Sequence, residues 1–204
     1  MCGRYFTDPS VAKELYDIFK IPGTKDVVPA AEDIHPADTA DVLISTPKGI
    51  GFEKMRWGFP GFEKNKLIFN ARAEGALEKK MFRDSVRTKR ILVPSRGFYE
   101  WDSEKTKYTF ERTDRKPLLM AGCWNQFGSW QRFVILTTEA NESVRGVHHR
   151  MPLILDPKDA WVWLMDDGQT EFILQKTPGP LEKSLTMNRY LFLFYSIRRN
   201  LYDH

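Results

Sequence analysis

Apolar positions fall at helical spacing in only a few stretches of the chain. After Asp8-Pro9, Val11, Leu15, Ile18 and Phe19 share one face at the intervals of an amphipathic helix. Asp then Pro is a start signal: the carboxylate caps an orphan N–H, and Pro at the first helical position loses no hydrogen bond. Asp156-Pro157 repeats the signal before Ala160–Met165, and further helices are predicted near Lys79–Arg90 and over Thr170–Gln175. Elsewhere, β-branched and aromatic runs bounded by Gly, Pro, Asn and Asp predict strands at Val42–Ile44, Gly51–Trp57, Ile91–Val93, Tyr108–Arg112, Leu118–Cys123, Phe133–Thr138 and Leu153–Leu155. Long helices do not regularly separate these runs, which disfavours a doubly wound parallel sheet. The pattern predicts an α+β fold, one compact domain over residues 1–204 with a curved, mostly antiparallel, barrel-like β-sheet core and peripheral helices. The run Tyr190–Tyr195 predicts a last buried strand and is too short to span a bilayer.

Composition narrows this picture. The 204 residues are 42% hydrophobic and 28% charged, ordinary globular proportions. The polar start lacks the features of a signal or transit peptide, so a reducing compartment is expected: bacterial cytoplasm near the nucleoid, or a eukaryotic nucleus. Two cysteines are too few for a disulfide framework. His35, His148, His149 and His204 form no ligand pattern with them, and no metal or organic cofactor is expected. Cys123, in the apolar run Met120–Trp124, reads as a small buried hydrophobe. A pI near 9.0 with a net charge of +4 permits a polyanionic partner. The basic stretch Lys79, Lys80, Arg83, Arg87, Lys89 and Arg90 is either a solvated helix surface or a contribution to that affinity, and Met81 and Phe82 within it read as core.

The candidate chemistry lies at Met1-Cys2-Gly3-Arg4-Tyr5. Removal of Met1 would leave an amine and a thiol on one residue, with ordinary pKa values near ~8 and ~8.5. Such a 1,2-aminothiol condenses with an aldehyde to an imine, and the thiol then closes a thiazolidine ring on the same carbon. A Met-Cys-Gly start also occurs in glutamine amidotransferases, but their Arg, Asn-Gly and Asp constellation is not found here.

Four further segments follow in order: Met55-Arg56-Trp57-Gly58, Asn70-Ala71-Arg72-Ala73-Glu74, Gly97-Phe98-Tyr99-Glu100-Trp101 and His148-His149-Arg150-Met151-Pro152. Pro94 precedes the third, and Thr137-Thr138-Glu139-Ala140-Asn141 the fourth. Together with the Cys-Gly-Arg-Tyr start they resemble the SRAP family (SOS-response-associated peptidase), most strongly over residues 2–165. The resemblance implies covalent capture of abasic sites in single-stranded DNA, with a lyase side branch and an autopeptidase activity. It makes Cys2 the nucleophile, Asn70 a polar positioner, and Glu100 and His148 the acid/base pair. Arg4, Arg72 and Arg150 become a phosphate clamp, and Trp57 and Trp101 stacking surfaces for bases. His149 stands where many relatives carry an acid, and Pro29 or Pro36 falls where the family has a proline-containing contact loop.

The expected partner is abasic single-stranded DNA, bound by a monomer, with replication-associated proteins as further candidates and no membrane. Two other functions stay open. One is a cysteine peptidase that frees its own terminus. The other is a noncovalent reader of modified or damaged bases, in which Cys2 is incidental.

Overall fold

The computed structural model describes residues 2–21, 32–63 and 65–186. Pro29, the run Tyr190–Tyr195, Arg198-Arg199 and His204 lie outside the described residues. Both Asp-Pro signals open helices, α1 (Pro9–Phe19) and α4 (Pro157–Met165). Asp8 accepts the Ser10 N–H and Asp156 the Asp159 N–H, as N-caps do. The basic stretch forms α2 (Lys80–Thr88), a four-residue α3 covers Glu142–Arg145, and α5 is Thr170–Leu174. No helix among the described residues is long and apolar enough to cross a membrane.

The strands form a closed ring and a separate sheet. In the ring, β3 (Thr39–Thr46) lies between β4 (Gly49–Trp57) and β8 (Arg90–Ser95), and β11 (Leu118–Phe127) follows β8. Next, β12 (Trp130–Glu139) pairs antiparallel with β11 and parallel with β4, which closes a five-stranded, mostly antiparallel barrel. Where β12 runs past β4, its edge is taken by β7 (Asn70–Arg72). Beyond the β11–β12 pairing, the two strands splay around β13 (Arg150–Pro152) on β12 and β14 (Ile154–Leu155) on β11. Leu153, between them, donates its N–H to Leu136 and accepts the Ala121 N–H, each at 2.8 Å.

The second sheet has five antiparallel strands in the order β15 (Leu181–Leu185), β10 (Lys107–Arg112), β9 (Gly97–Trp101), β1 (Tyr5–Thr7), β2 (Glu32–Ile34). The remaining pair, β5 (Phe59–Pro60) and β6 (Leu67–Ile68), forms a small ladder. Period-two alternation sends Leu43, Leu92, Val134 and Leu136 to a cluster with α1, α2 and α4. Their neighbours Val42, Ile91, Val93, Phe133 and Ile135 join Cys2, Tyr5, Phe98 and Phe110 in a cluster shared with the second sheet. Gly97 is required there: a Cβ on it would lie 2.5 Å from the Phe110 carbonyl oxygen and 2.7 Å from the Phe6 ring. The α+β class and the curved, barrel-like antiparallel core agree with the sequence reading.

Candidate active site

Cys2 lies three residues before Tyr5, where β1 begins, and it is buried, with 1% of its surface exposed. Sγ is 3.8 Å from the Arg4 carbonyl, to which a protonated thiol donates. Burial pushes the thiol up, and the Glu100 carboxylate adds to the shift. Cys2 is therefore a thiol at neutral pH, not a standing thiolate.

Two other elements converge on it. Asn70 opens β7, fixed by Ile135 N–H to Phe69 O at 3.1 Å and Trp57 Nε1–H to the same oxygen at 2.8 Å. Its Nδ2 donates to the Cys2 carbonyl at 2.8 Å, across 68 positions of sequence. Glu100 alternates inward on β9, between outward-facing Tyr99 and Trp101, and is 3% exposed. Burial raises its pKa; the positive charge at the chain start, the Trp101 N–H and His149 act in the opposite sense. A carboxyl shifted towards neutrality is suited to moving protons near neutral pH.

His148 follows α3, which Asn141 caps by accepting the Ser143 N–H. Its own N–H reaches the Val144 carbonyl at 3.0 Å. Nδ1 lies 2.9 Å from the Arg150 nitrogen, whose N–H it accepts when unprotonated, and 3.1 Å from the Arg150 carbonyl oxygen, to which it donates when protonated, so Arg150 holds the ring in either tautomer. Burial and the nearby positive charges lower its pKa and keep it neutral. The His149 ring stacks on it with centroids 4.4 Å apart. Buried atoms that find no hydrogen-bond partner among the described residues include Asn70 Oδ1, Tyr5 Oη, Arg4 Nε and Arg150 Nε. Such atoms are costly to leave unmet, and their gathering in the elements around Cys2 marks a place built for polar contact.

The proposed contact residues divide sharply. Arg72 is exposed, and with Glu139, Ala140, Arg145, His149 and Arg150 it lines a cavity of about 460 Å³. Trp101 is 37% exposed beside Glu100. Arg4 is half-buried, paired with Asp33, and lies 5.4 Å from the Tyr99 ring centroid. Two expectations need correction. Trp57 is fully buried, with its ring 5.2 Å from Tyr5 and 6.2 Å from Phe133, so neither face is open to a base. Arg150 is 7% exposed and holds Glu74 through two 2.8 Å bonds, so it braces the site instead of gripping phosphate.

Residues that sequence reasoning passed over are Asp33, Tyr99 and Lys107. Tyr99 Oη donates to Asp33 at 3.1 Å, and Lys107 Nζ lies 3.4 Å from the Tyr99 ring centroid. The alternation of Gly97–Trp101 would have placed Tyr99 on the same face as Trp101.

A sequence profile of the family described as SOS response associated peptidase (SRAP) matches residues 1–189. The chain is 32% identical over 198 residues to the abasic site processing protein YoaM of Bacillus subtilis, covering 89% of this chain and 87% of that protein. An abasic site processing protein of Saccharomyces cerevisiae is 31% identical over 160 residues, 72% of this chain and 43% of the yeast protein. Among solved structures, a phage-related protein of Bordetella bronchiseptica superposes with a TM-score of 0.76 at 22% identity, covering 92% of this chain and 95% of that one. That likeness is one of fold.

Proposed function

Because the chain belongs to the SOS response associated peptidase (SRAP) family, we propose that it processes abasic sites in single-stranded DNA by covalent capture through Cys2. The names of its relatives supply the substrate class. One observation carries the residue assignment: Cys2, where loss of Met1 frees an amine beside the thiol, is buried against the Asn70 amide and within the field of Glu100.

Hydrolytic removal of Met1 comes first. A ring N–H of neutral His148 donates to the ring oxygen of the closed abasic sugar, the bond from C1′ to that oxygen breaks, and the anomeric hydroxyl releases its proton to water as it becomes the aldehyde. The Cys2 amine adds to that carbon while Asn70 Oδ1 accepts an amine hydrogen. Glu100 in its acid form protonates the carbinolamine oxygen, which leaves as water, and the imine forms. Sγ then adds to the carbon of the protonated imine, its proton passes to the Glu100 carboxylate, and the C=N electron pair goes to nitrogen, which keeps the proton it already carries. The product is a thiazolidine, with one water lost overall. Arg72 holds a phosphate and Trp101 stacks on a neighbouring base. From the same imine, removal of the C2′ proton expels the 3′ phosphate, a lyase branch that ring closure by sulfur suppresses.

The buried, protonated thiol weighs against general peptidase turnover, which needs a ready thiolate. The test is denaturing electrophoresis with intact mass, after incubation with single-stranded DNA carrying one abasic site. A heat-stable adduct weighing protein without Met1, plus DNA, minus water is the expected result. DNA bound without any adduct, in protein lacking Met1, would sink the proposal and favour a noncovalent reader.

A further inference from the structure

Arginines of the described residues mostly have carboxylate partners: Arg4, Arg83, Arg90, Arg96, Arg112, Arg115 and Arg150 all make ion pairs. Arg56 and Arg132, like Arg72, Arg87 and Arg145, have none among the described residues, and these two lie side by side. They are direct cross-strand partners in the parallel β4–β12 ladder, where like charges facing each other are destabilising. Among the described residues each reaches one backbone carbonyl, Arg56 Nε to Ala37 O at 2.8 Å and Arg132 to Gly58 O at 2.9 Å, and neither has a carboxylate in ion-pair range. Trp130, two positions before Arg132, is 51% exposed, with the Arg56 guanidinium 5.3 Å from its ring centroid. Strand alternation puts Arg56 and Arg132 on the opposite face from Met55, Trp57 and Phe133, which belong to the Cys2 cluster.

Two adjacent guanidinium groups without counter-charge, beside an exposed indole, fit an anionic chain that also offers a flat ring. We propose that Arg56, Arg132 and Trp130 form a second nucleic-acid contact, which holds the phosphodiester backbone and one base of a single strand outside the Cys2 pocket. The choice of nucleic acid over another polyanion rests on the abasic-site reading. The patch is tied to the site through Arg56, whose bond to Ala37 braces the turn that follows β2, where Ala37 also donates its N–H to Trp57 O at 2.8 Å. Pro36 lies in that turn.

The test compares wild type with Trp130→Ala, Trp130→Phe and Arg132→Gln by fluorescence anisotropy. The probes are two undamaged oligothymidylates, one longer than about 16 nucleotides and one of about 4 nucleotides. Loss of a stacked base should weaken binding of the long strand about fivefold or more in Trp130→Ala, and Trp130→Phe should restore most of it. Arg132→Gln should lower the log–log salt slope by about 0.7. Binding of the short strand, and the rate of adduct formation on a short abasic strand, should match wild type in every variant. Unchanged affinity of Trp130→Ala for the long strand overturns the proposal. So does polyglutamate that binds as tightly and is weakened as much, an outcome that assigns the patch to an acidic protein segment. If wild type forms no adduct while the long strand still depends on Trp130, the Cys2 reading fails and the patch stands. Adduct formation without that dependence has the reverse meaning.

Discussion

Cys2 and Cys123 share a residue type, near-complete burial and a thiol pushed above its ordinary range, yet their surroundings differ. Around Cys123, burial is the whole cause of the shift, and its cluster holds apolar neighbours such as Phe82, Val86 and Val134. Around Cys2, a carboxylate contributes, an amide from a distant strand binds its carbonyl, and Asn70 Oδ1 finds no hydrogen-bond partner among the described residues. Neither burial nor thiol acidity separates the proposed nucleophile from the cysteine given no role. The polar company does, together with the place at the chain start that puts an amine next to the sulfur.

The sharpest way to break the contrast is to exchange the roles. Cys2→Ala should reduce the heat-stable adduct to background. Cys123→Ala should leave its yield unchanged and cost roughly 1 kcal/mol, a fall of about 2–4 °C in melting temperature. Adduct that persists in Cys2→Ala would end the comparison.

Glu100→Gln should slow adduct formation by about 10²–10⁴ in single-turnover assays. It should also stabilise the fold, and the sign follows from linkage. A carboxyl whose folded pKa is raised by burial favours folding below its unfolded pKa, and that advantage is lost as pH rises through the folded value. The gain in melting temperature should therefore be larger at about pH 8 than at about pH 3, where both states of wild type are protonated. Equal gains at both would show that Glu100 is not strained by ionisation.

The arginines give a third contrast. Arg150→Ala frees Glu74 and leaves the Thr137 carbonyl without its 2.6 Å donor, at a cost of about 1–3 kcal/mol in chemical denaturation. Arg72→Ala should stay within about 0.5 kcal/mol of wild type and weaken binding of single-stranded DNA instead. Asn70→Ala should slow capture about tenfold, far less than Glu100→Gln, since one hydrogen bond contributes about 1–1.5 kcal/mol.

Much of the fold was legible because local chemistry decides it. Asp8-Pro9 and Asp156-Pro157 open helices for reasons confined to a few residues, and the apolar strands declare themselves by composition. The strands that escaped include β1, β5, β6 and β13, each of two or three residues, and β2, β7 and β15, which pairing makes strands: Glu32–Ile34 lies on β1, Asn70–Arg72 on β12, and Leu181–Leu185 on β10. At the site, the motifs named the residues but not their direction. Trp57 and Trp101 both follow charged residues in aromatic strands, and only the sheets they pair into turn one inward and the other out. Arg150 looked like a clamp because its partner, Glu74, lies 76 positions away, although Glu74 closes the same motif that begins with Asn70.

The wedge at Leu153 sets the mechanics of the site. His148 and Arg150 lie on a segment whose next strands bridge β12 and β11, with Leu153 bonded to both. A loop free to fray would let the imidazole drift; here, displacing it means prising apart the barrel seam. The Leu153 amide should accordingly exchange its hydrogen only through global opening. Geometry at His148 is then preserved for as long as the barrel stays closed, and the covalent capture proposed above needs no loop to reopen for turnover.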